Sequence, residues 1–237
     1  MSLRLHSAVE YAAGPPGLDR PPLHHADIVD RLLERAAEPE PAAGPGPDLV
    51  VLVYAAPDTQ GHKTTASHLN LRTGGAAHSF ALTVQGTGGP FAALRVAEAC
   101  ARTGRGSSSV LALVECAGAE GVSAASGVLL RLDGQPGYGV AETRSVPLDR
   151  LADACAALVP EKGRLLLVLG PGTDPEAAPA QRTDVRTPPP DSSCTAVWRL
   201  LARESEAWRE QYPVVALCAA DPDTRTGHLA VLRDLDQ

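Results

Sequence analysis

Four short, unbroken apolar runs limit what this chain can fold into: Leu49 to Tyr54, Val110 to Val114, Leu165 to Leu169 and Val214 to Ala220. A strand with one wet face alternates apolar and polar side chains, but these runs have no polar side to turn outward. They are also far too short to span a bilayer. They read as strands buried on both faces, which requires helices packed on each side of a sheet.

The helices are present as spacing. Val29, Leu32, Leu33 and Ala36 share one face of a segment over Ala26 to Ala37, and Phe91, Leu94, Ala97 and Ala101 share one over Pro90 to Arg102, where Pro90 suits a first turn. A short helix is expected over Lys63 to Arg72, and another along the stripe from Leu148 to Leu158. A further one, from Cys194 to Trp208, turns Val197, Trp198, Leu201 and Trp208 inward. Strands are also expected over 79–85, 125–132, 137–146 and 227–233. From residue 48 the order is βαβαββ, and a similar order returns in the second half. VVLVYAAPD in one half is echoed by VVALCAADPD in the other. The expected fold is one α/β domain over 1–237, with mainly parallel sheets and halves of about 1–133 and 134–237. Proline- and glycine-rich linkers are expected at 38–47 and 171–191.

Composition removes several function classes. The 237 residues carry a formal charge of −7, with acidic groups spread along the chain and aromatics at 3%, so neither nucleic acid nor an anionic membrane is an expected partner. The first residues lack the charged lead and apolar core of a secretion signal, and a cytoplasmic location is expected. The five cysteines have no CxxC or CxxH spacing and read as reduced, mostly buried thiols. No metal site is expected: His24, His25 and Asp27 are not completed by a further ligand, and the stretch Asp221 to Thr224 lacks the glycine and glutamate of a calcium loop. The glycines of GTGG match neither a phosphate loop nor a dinucleotide fingerprint, and no cofactor is expected.

The segment DLVVLVYAAPDTQGHKTTASHLNLRTG, then SFALTVQGTGGPFAALRVAEACARTG and SSVLALVECA, resembles the N-terminal half of the ketosynthase III branch of the thiolase superfamily, the β-ketoacyl-carrier-protein synthase III type. ASGVLLRL, SSCTAVWRLLA and GHLAVLR extend the likeness over most of the chain from Asp48, which is shorter than typical members. The resemblance implies a thiolase-like, layered α-β-α-β-α architecture. In that family a cysteine follows the strand in a C-x-G context ending in A-L. Here the chain reads T-G-G-P-F-A-A-L, which puts Thr87 at the nucleophile position, with Gly86 as the alternative register. Gly86, Gly88 and Gly89 are the matching substrate-binding candidates. The family's histidine turn is replaced by Gly170-Pro171-Gly172-Thr173, and its assisting asparagine has no counterpart.

A strand end meeting a helix start points backbone N–H groups at one spot, which suits a nucleophile and an oxyanion. A threonine hydroxyl there needs a base, and His62, His68 and His78 lie in the same half. Without one, Gly86-Thr87-Gly88-Gly89 is a tight β-to-α turn in which Thr87 caps the helix. Glu115, at the end of an apolar strand, reads as a structural carboxylate that must find hydrogen-bond donors.

Three functions stay open at this level. The first is a catalytically degenerate ketosynthase III-like subunit of polyketide- or fatty-acid-type acyl-thioester biosynthesis, partnering an active condensing enzyme. The second is an active acyltransferase or thioester hydrolase using Thr87 as a hydroxyl nucleophile. The third is a non-catalytic ligand-binding or interaction module. The resemblance implies a homodimer, or a heterodimer with a ketosynthase homologue, formed through the strand preceding Thr87. It also implies acyl carrier protein or acyl-coenzyme A as the source of substrate.

Overall fold

The computed structural model describes residues 3–13, 23–36, 46–57, 64–83, 85–118, 122–179, 181–190 and 192–234. The first half runs β1 (Arg4–Ala12), α1 (His25–Ala36), β2 (Leu49–Tyr54), α2 (Thr65–Arg72), β3 (His78–Thr83), α3 (Gly89–Arg102), β4 (Ser109–Glu115) and β5 (Ser126–Asp133). The second half runs β6 (Tyr138–Pro147), α4 (Leu151–Ala156), β7 (Leu165–Leu169), β8 (Thr183–Arg186), α5 (Ala196–Gln211), β9 (Val214–Asp221) and β10 (Thr226–Asp234). The expected βαβαββ order is there from β2 onward; the first half places β1 and α1 ahead of it, and the second half inserts the strand β8 within it.

The strand order shows the duplication directly. One half reads β3-β2-β4-β5-β1 and the other β8-β7-β9-β10-β6, so equivalent strands occupy equivalent places. The halves join where β1 meets β6 through two residue pairs, Arg4 with Gly139 and Leu5 with Tyr138. β2 is parallel to β3 and β4, and β7 is parallel to β8 and β9. The sheet is nonetheless mixed rather than mainly parallel. β5 and β10 follow β4 and β9 with no crossover helix, and a direct return forces them antiparallel.

The unbroken apolar runs do what their composition requires. Along β2, Leu49, Val51 and Val53 enter the central core while Val50 and Leu52 enter an outer one. Along β9, Val215, Leu217 and Ala219 face the centre while Val214, Ala216 and Cys218 face outward. The central core holds α3 and α5, each touching strands of both halves. The first outer core lies under α1 and α2, and the second under α4, giving the layers α-β-α-β-α.

Two strands escaped the sequence pattern. β1 carries arginine, histidine, serine and glutamate among its apolar residues, and its register shifts between Leu5 and Ser7. β8 is four residues of TDVR inside the segment read as a proline-rich linker, and as an edge strand it does not need two apolar faces. The other linker, 38–47, lies mostly outside the described residues. Among the described residues no helix is long and apolar enough to cross a membrane.

Candidate functional site

The C-terminal ends of β2, β4, β7 and β9, with the turn after β3, converge on one cavity of about 430 Å3. The carboxyl ends of parallel strands are where an open α/β sheet offers room for a ligand, since the connections diverge there. Thr87 and Gly86 line the cavity from the first half. Gly172, Ser193, Ala220 and Asp221 line it from the second.

Thr87 sits in a single 3-10 turn, Gly86–Gly88, that runs straight into α3. It is buried, and its hydroxyl donates to the Ala220 carbonyl at 3.3 Å. The expected helix cap is absent: Gly88 occupies the cap position, with no side-chain bond to the first turn. The Thr87 hydroxyl ties the two halves together instead. Gly86 has φ of 49°, a left-handed conformation natural to glycine. At Gly88 a β-carbon would lie 2.6 Å from the His228 ring, and at Gly89 one would lie 2.9 Å from Val53. Gly88 and Gly89 are thus buried packing positions behind the turn, while Gly86 faces the cavity.

The turn Gly170-Pro171-Gly172-Thr173, which the resemblance sets against the family's histidine turn, borders the cavity, but neither of its glycines has room for a side chain. Gly172 has φ of 74°, and a β-carbon there would lie 2.4 Å from the Ala220 carbonyl oxygen. At Gly170 it would lie 2.6 Å from Val197. Thr173 spends its hydroxyl on the Gly170 carbonyl at 2.6 Å.

Two carboxylates at the cavity, Glu115 and Asp221, are engaged elsewhere, while a third, Asp223, lies exposed at its edge. Glu115 accepts from the backbone N–H of Ser193 at 3.1 Å, Cys194 at 2.8 Å and Thr195 at 3.1 Å, and from the Thr195 hydroxyl. It therefore neutralises the N-terminal end of α5 from the end of β4, joining the halves beneath the cavity. Its reading as a structural carboxylate holds, and its donors are these four groups. Asp221 accepts from the N–H of Asp223 and Thr224. Burial opposes its charge, but bonds from Thr224 and Asp223 outweigh that and hold its carboxyl below the ordinary range.

Of the histidines singled out by sequence, His68 pairs with Asp30 at 2.9 Å on the outer layer, and His78 begins β3 at the end remote from Thr87. His62 lies outside the described residues. The histidine beside the turn is His228, on β10, which the sequence reading passed over as part of a strand. Its ring stacks on Phe91 with centroids 5.6 Å apart, and its Nδ1 lies 3.0 Å from the Ser145 hydroxyl, which also accepts from Arg95. Burial first, then the charge of Arg95, push its pKa down. A histidine in an otherwise apolar strand was the available signal. Among the described residues no group of three or more histidine, cysteine, aspartate or glutamate side chains is placed to hold a metal ion.

Cys116 also borders the cavity, half-buried at the end of β4. No protein-family model matches the chain, and no curated protein matches it. Solved structures do. 3-Oxoacyl-[acyl-carrier-protein] synthase III from Aquifex aeolicus aligns over 98% of this chain and 99% of its own, with 11% identity and a TM-score of 0.61. An OleA variant from Xanthomonas campestris aligns over 98% of both, with 9% identity and a TM-score of 0.68. β-Ketoacyl-[acyl carrier protein] synthase III from Thermus thermophilus aligns over 97% and 98%, with 16% identity and a TM-score of 0.69. At such identities the likeness establishes the fold: the chain has the thiolase-like architecture of the ketosynthase III enzymes.

Proposed function

We propose that this protein is a catalytically silent ketosynthase III-like subunit of acyl-thioester biosynthesis, of the polyketide or fatty-acid type, that partners an active condensing enzyme. The observation that carries the reading is the use of the Thr87 hydroxyl. At the nucleophile position it donates to the Ala220 carbonyl, and no histidine is among the described residues that line the cavity. A cavity of about 430 Å3 beside Thr87 supports retained ligand contact over a module with a filled interior.

The partner would be met at β3. This strand is an edge of the sheet, so one row of its backbone groups has no neighbour strand, while Phe80 and Leu82 pack inward. Pairing β3 with its counterpart in a second copy or in a homologue continues the sheet across the interface. In this reading the protein works in the cytoplasm, where carrier-protein or coenzyme A thioesters meet the active subunit.

The test is intact-protein mass spectrometry after incubation with an acyl-coenzyme A or an acyl carrier protein thioester. The expected result is no added mass. An acyl adduct that maps to Thr87 and is lost in Thr87→Ala would overturn the silent reading in favour of a hydroxyl nucleophile.

A further inference from the structure

Cys155 on α4 and Cys218 on β9 lie with their sulfurs 3.6 Å apart in the outer core of the second half. A disulfide holds its sulfurs at about 2.05 Å, so closing the bond needs an approach of about 1.5 Å. The two sulfurs are not equally placed. Cys155 forms part of the wall of a second, mainly apolar cavity of about 240 Å3, whose rim includes the exposed Ala152, Gly172 and Asp174. Cys218 is fully buried behind it. A small neutral oxidant can reach Cys155 through this opening, while Cys218 is reached through Cys155.

We propose that Cys155 and Cys218 form a redox-active dithiol, in which a peroxide oxidises Cys155 and Cys218 then closes an intramolecular disulfide. Cys155 sulfur attacks one oxygen of hydrogen peroxide, and the O–O bond breaks. The departing hydroxide combines with the thiol's proton to give water and leaves a sulfenic acid on Cys155. The Cys218 sulfur then displaces the sulfenyl hydroxyl, which leaves as a second water with the Cys218 proton. Two thiols are oxidised and one peroxide is reduced to two waters.

The electrostatics agree with this division of roles. Hydrogen bonding from Cys218 holds the Cys155 thiol below its ordinary value against the effect of burial, with Arg144 adding to the lowering. That same bond, then burial, push Cys218 up and keep it a thiol. The pair also sits next to the candidate site. Cys218 precedes by two residues the Ala220 whose carbonyl holds Thr87, and Gly172 borders both cavities. A disulfide would fasten α4 to β9 on the strand that walls the Thr87 cavity.

The test uses the reduced, folded, full-length chain treated with equimolar hydrogen peroxide, then denatured in excess maleimide and mapped by peptide mass spectrometry. The expected result is loss of two of the five alkylatable thiols, their return on adding dithiothreitol, and one cross-linked peptide joining Cys155 to Cys218. Cys155→Ser and Cys218→Ala should each keep all four remaining thiols alkylatable, apart from any sulfenic acid on Cys155 in the latter. The wild-type map decides the matter even if either variant folds poorly. Labelling of all five thiols after peroxide, a disulfide made by Cys116 or another cysteine, or a Cys155–Cys218 bond formed only when unfolding precedes the peroxide would overturn the proposal.

Discussion

Replacing Glu115 by alanine removes the acceptor shared by three consecutive backbone N–H groups and the Thr195 hydroxyl. Each such charge-assisted bond contributes about 1.5–3 kcal/mol, but one carboxylate serves all four donors, so the terms cannot be summed. Removing one partner of a buried charged cluster costs about 3–5 kcal/mol, because the donors left behind have been dehydrated for nothing. We take about 4 kcal/mol. With an unfolding entropy of about 2.1 cal/mol/K per residue, this chain gives about 0.5 kcal/mol/K, and the midpoint should fall by about 8 °C. Glu115→Gln should recover less than half of the loss, since its amide turns a donor toward donors. Differential scanning calorimetry of the three proteins reads this directly. Midpoints within about 2 °C of one another would refute the view that Glu115 joins the halves through α5.

Gly88→Ala drives a β-carbon into the His228 ring, which Phe91 backs, and should cost about 1–3 kcal/mol in urea unfolding. Gly172→Ala meets both a left-handed φ and the Ala220 carbonyl, and should cost more than Gly88→Ala in the same assay. His228 has a folded pKa below its ordinary 6.5, so the histidine adds no pH dependence to stability above that value. As pH falls through 6.5, the unfolded chain takes up a proton the folded chain resists, and stability declines until the folded value is passed. From about pH 7.5 to about pH 5.5 the wild-type melting midpoint should therefore fall further than that of His228→Gln. Ala81→Lys, at an exposed place on the β3 edge, should shift sedimentation toward the monomer if two copies pair there, because like charges would then face one another.

The parts of the fold that were legible in the sequence were those where burial leaves no choice. Val50 and Val51 must both be dry, so β2 had to be a central strand, and the same holds for Leu166 and Leu167 in β7. Thr87 could be located because the strand-to-helix turn leaves a local signature in Gly86, Gly88, Gly89 and Pro90. What was not legible depends on contacts far apart in the chain. The Thr87 hydroxyl finds a carbonyl 133 residues away, and Glu115 finds its donors 78 to 80 residues away. Neither distance leaves a periodicity. β8 was hidden for the opposite reason: at an edge, Thr183 to Arg186 is held by backbone pairing with β7, which side-chain pattern does not encode.

These long-range contacts bear on whether the site could be made active by a single change. A thiol at position 87 would still stand at the start of α3, where backbone N–H groups favour a thiolate. It would lack a histidine to take its proton, and the glycine turn across the cavity is closed to one. At Gly172 the backbone is left-handed and the Ala220 carbonyl occupies the space a side chain needs. That carbonyl is the group that holds Thr87, and the Ala220 N–H in turn donates to Pro171 at 2.9 Å. Thr87 and the turn facing it have thus been built onto the same residue of β9. Moving β9 to admit a histidine would release Thr87, and holding Thr87 keeps the histidine out. The silence of the site, on this reading, is a property of the packing between the halves, and restoring chemistry would require rebuilding both sides of Ala220 together.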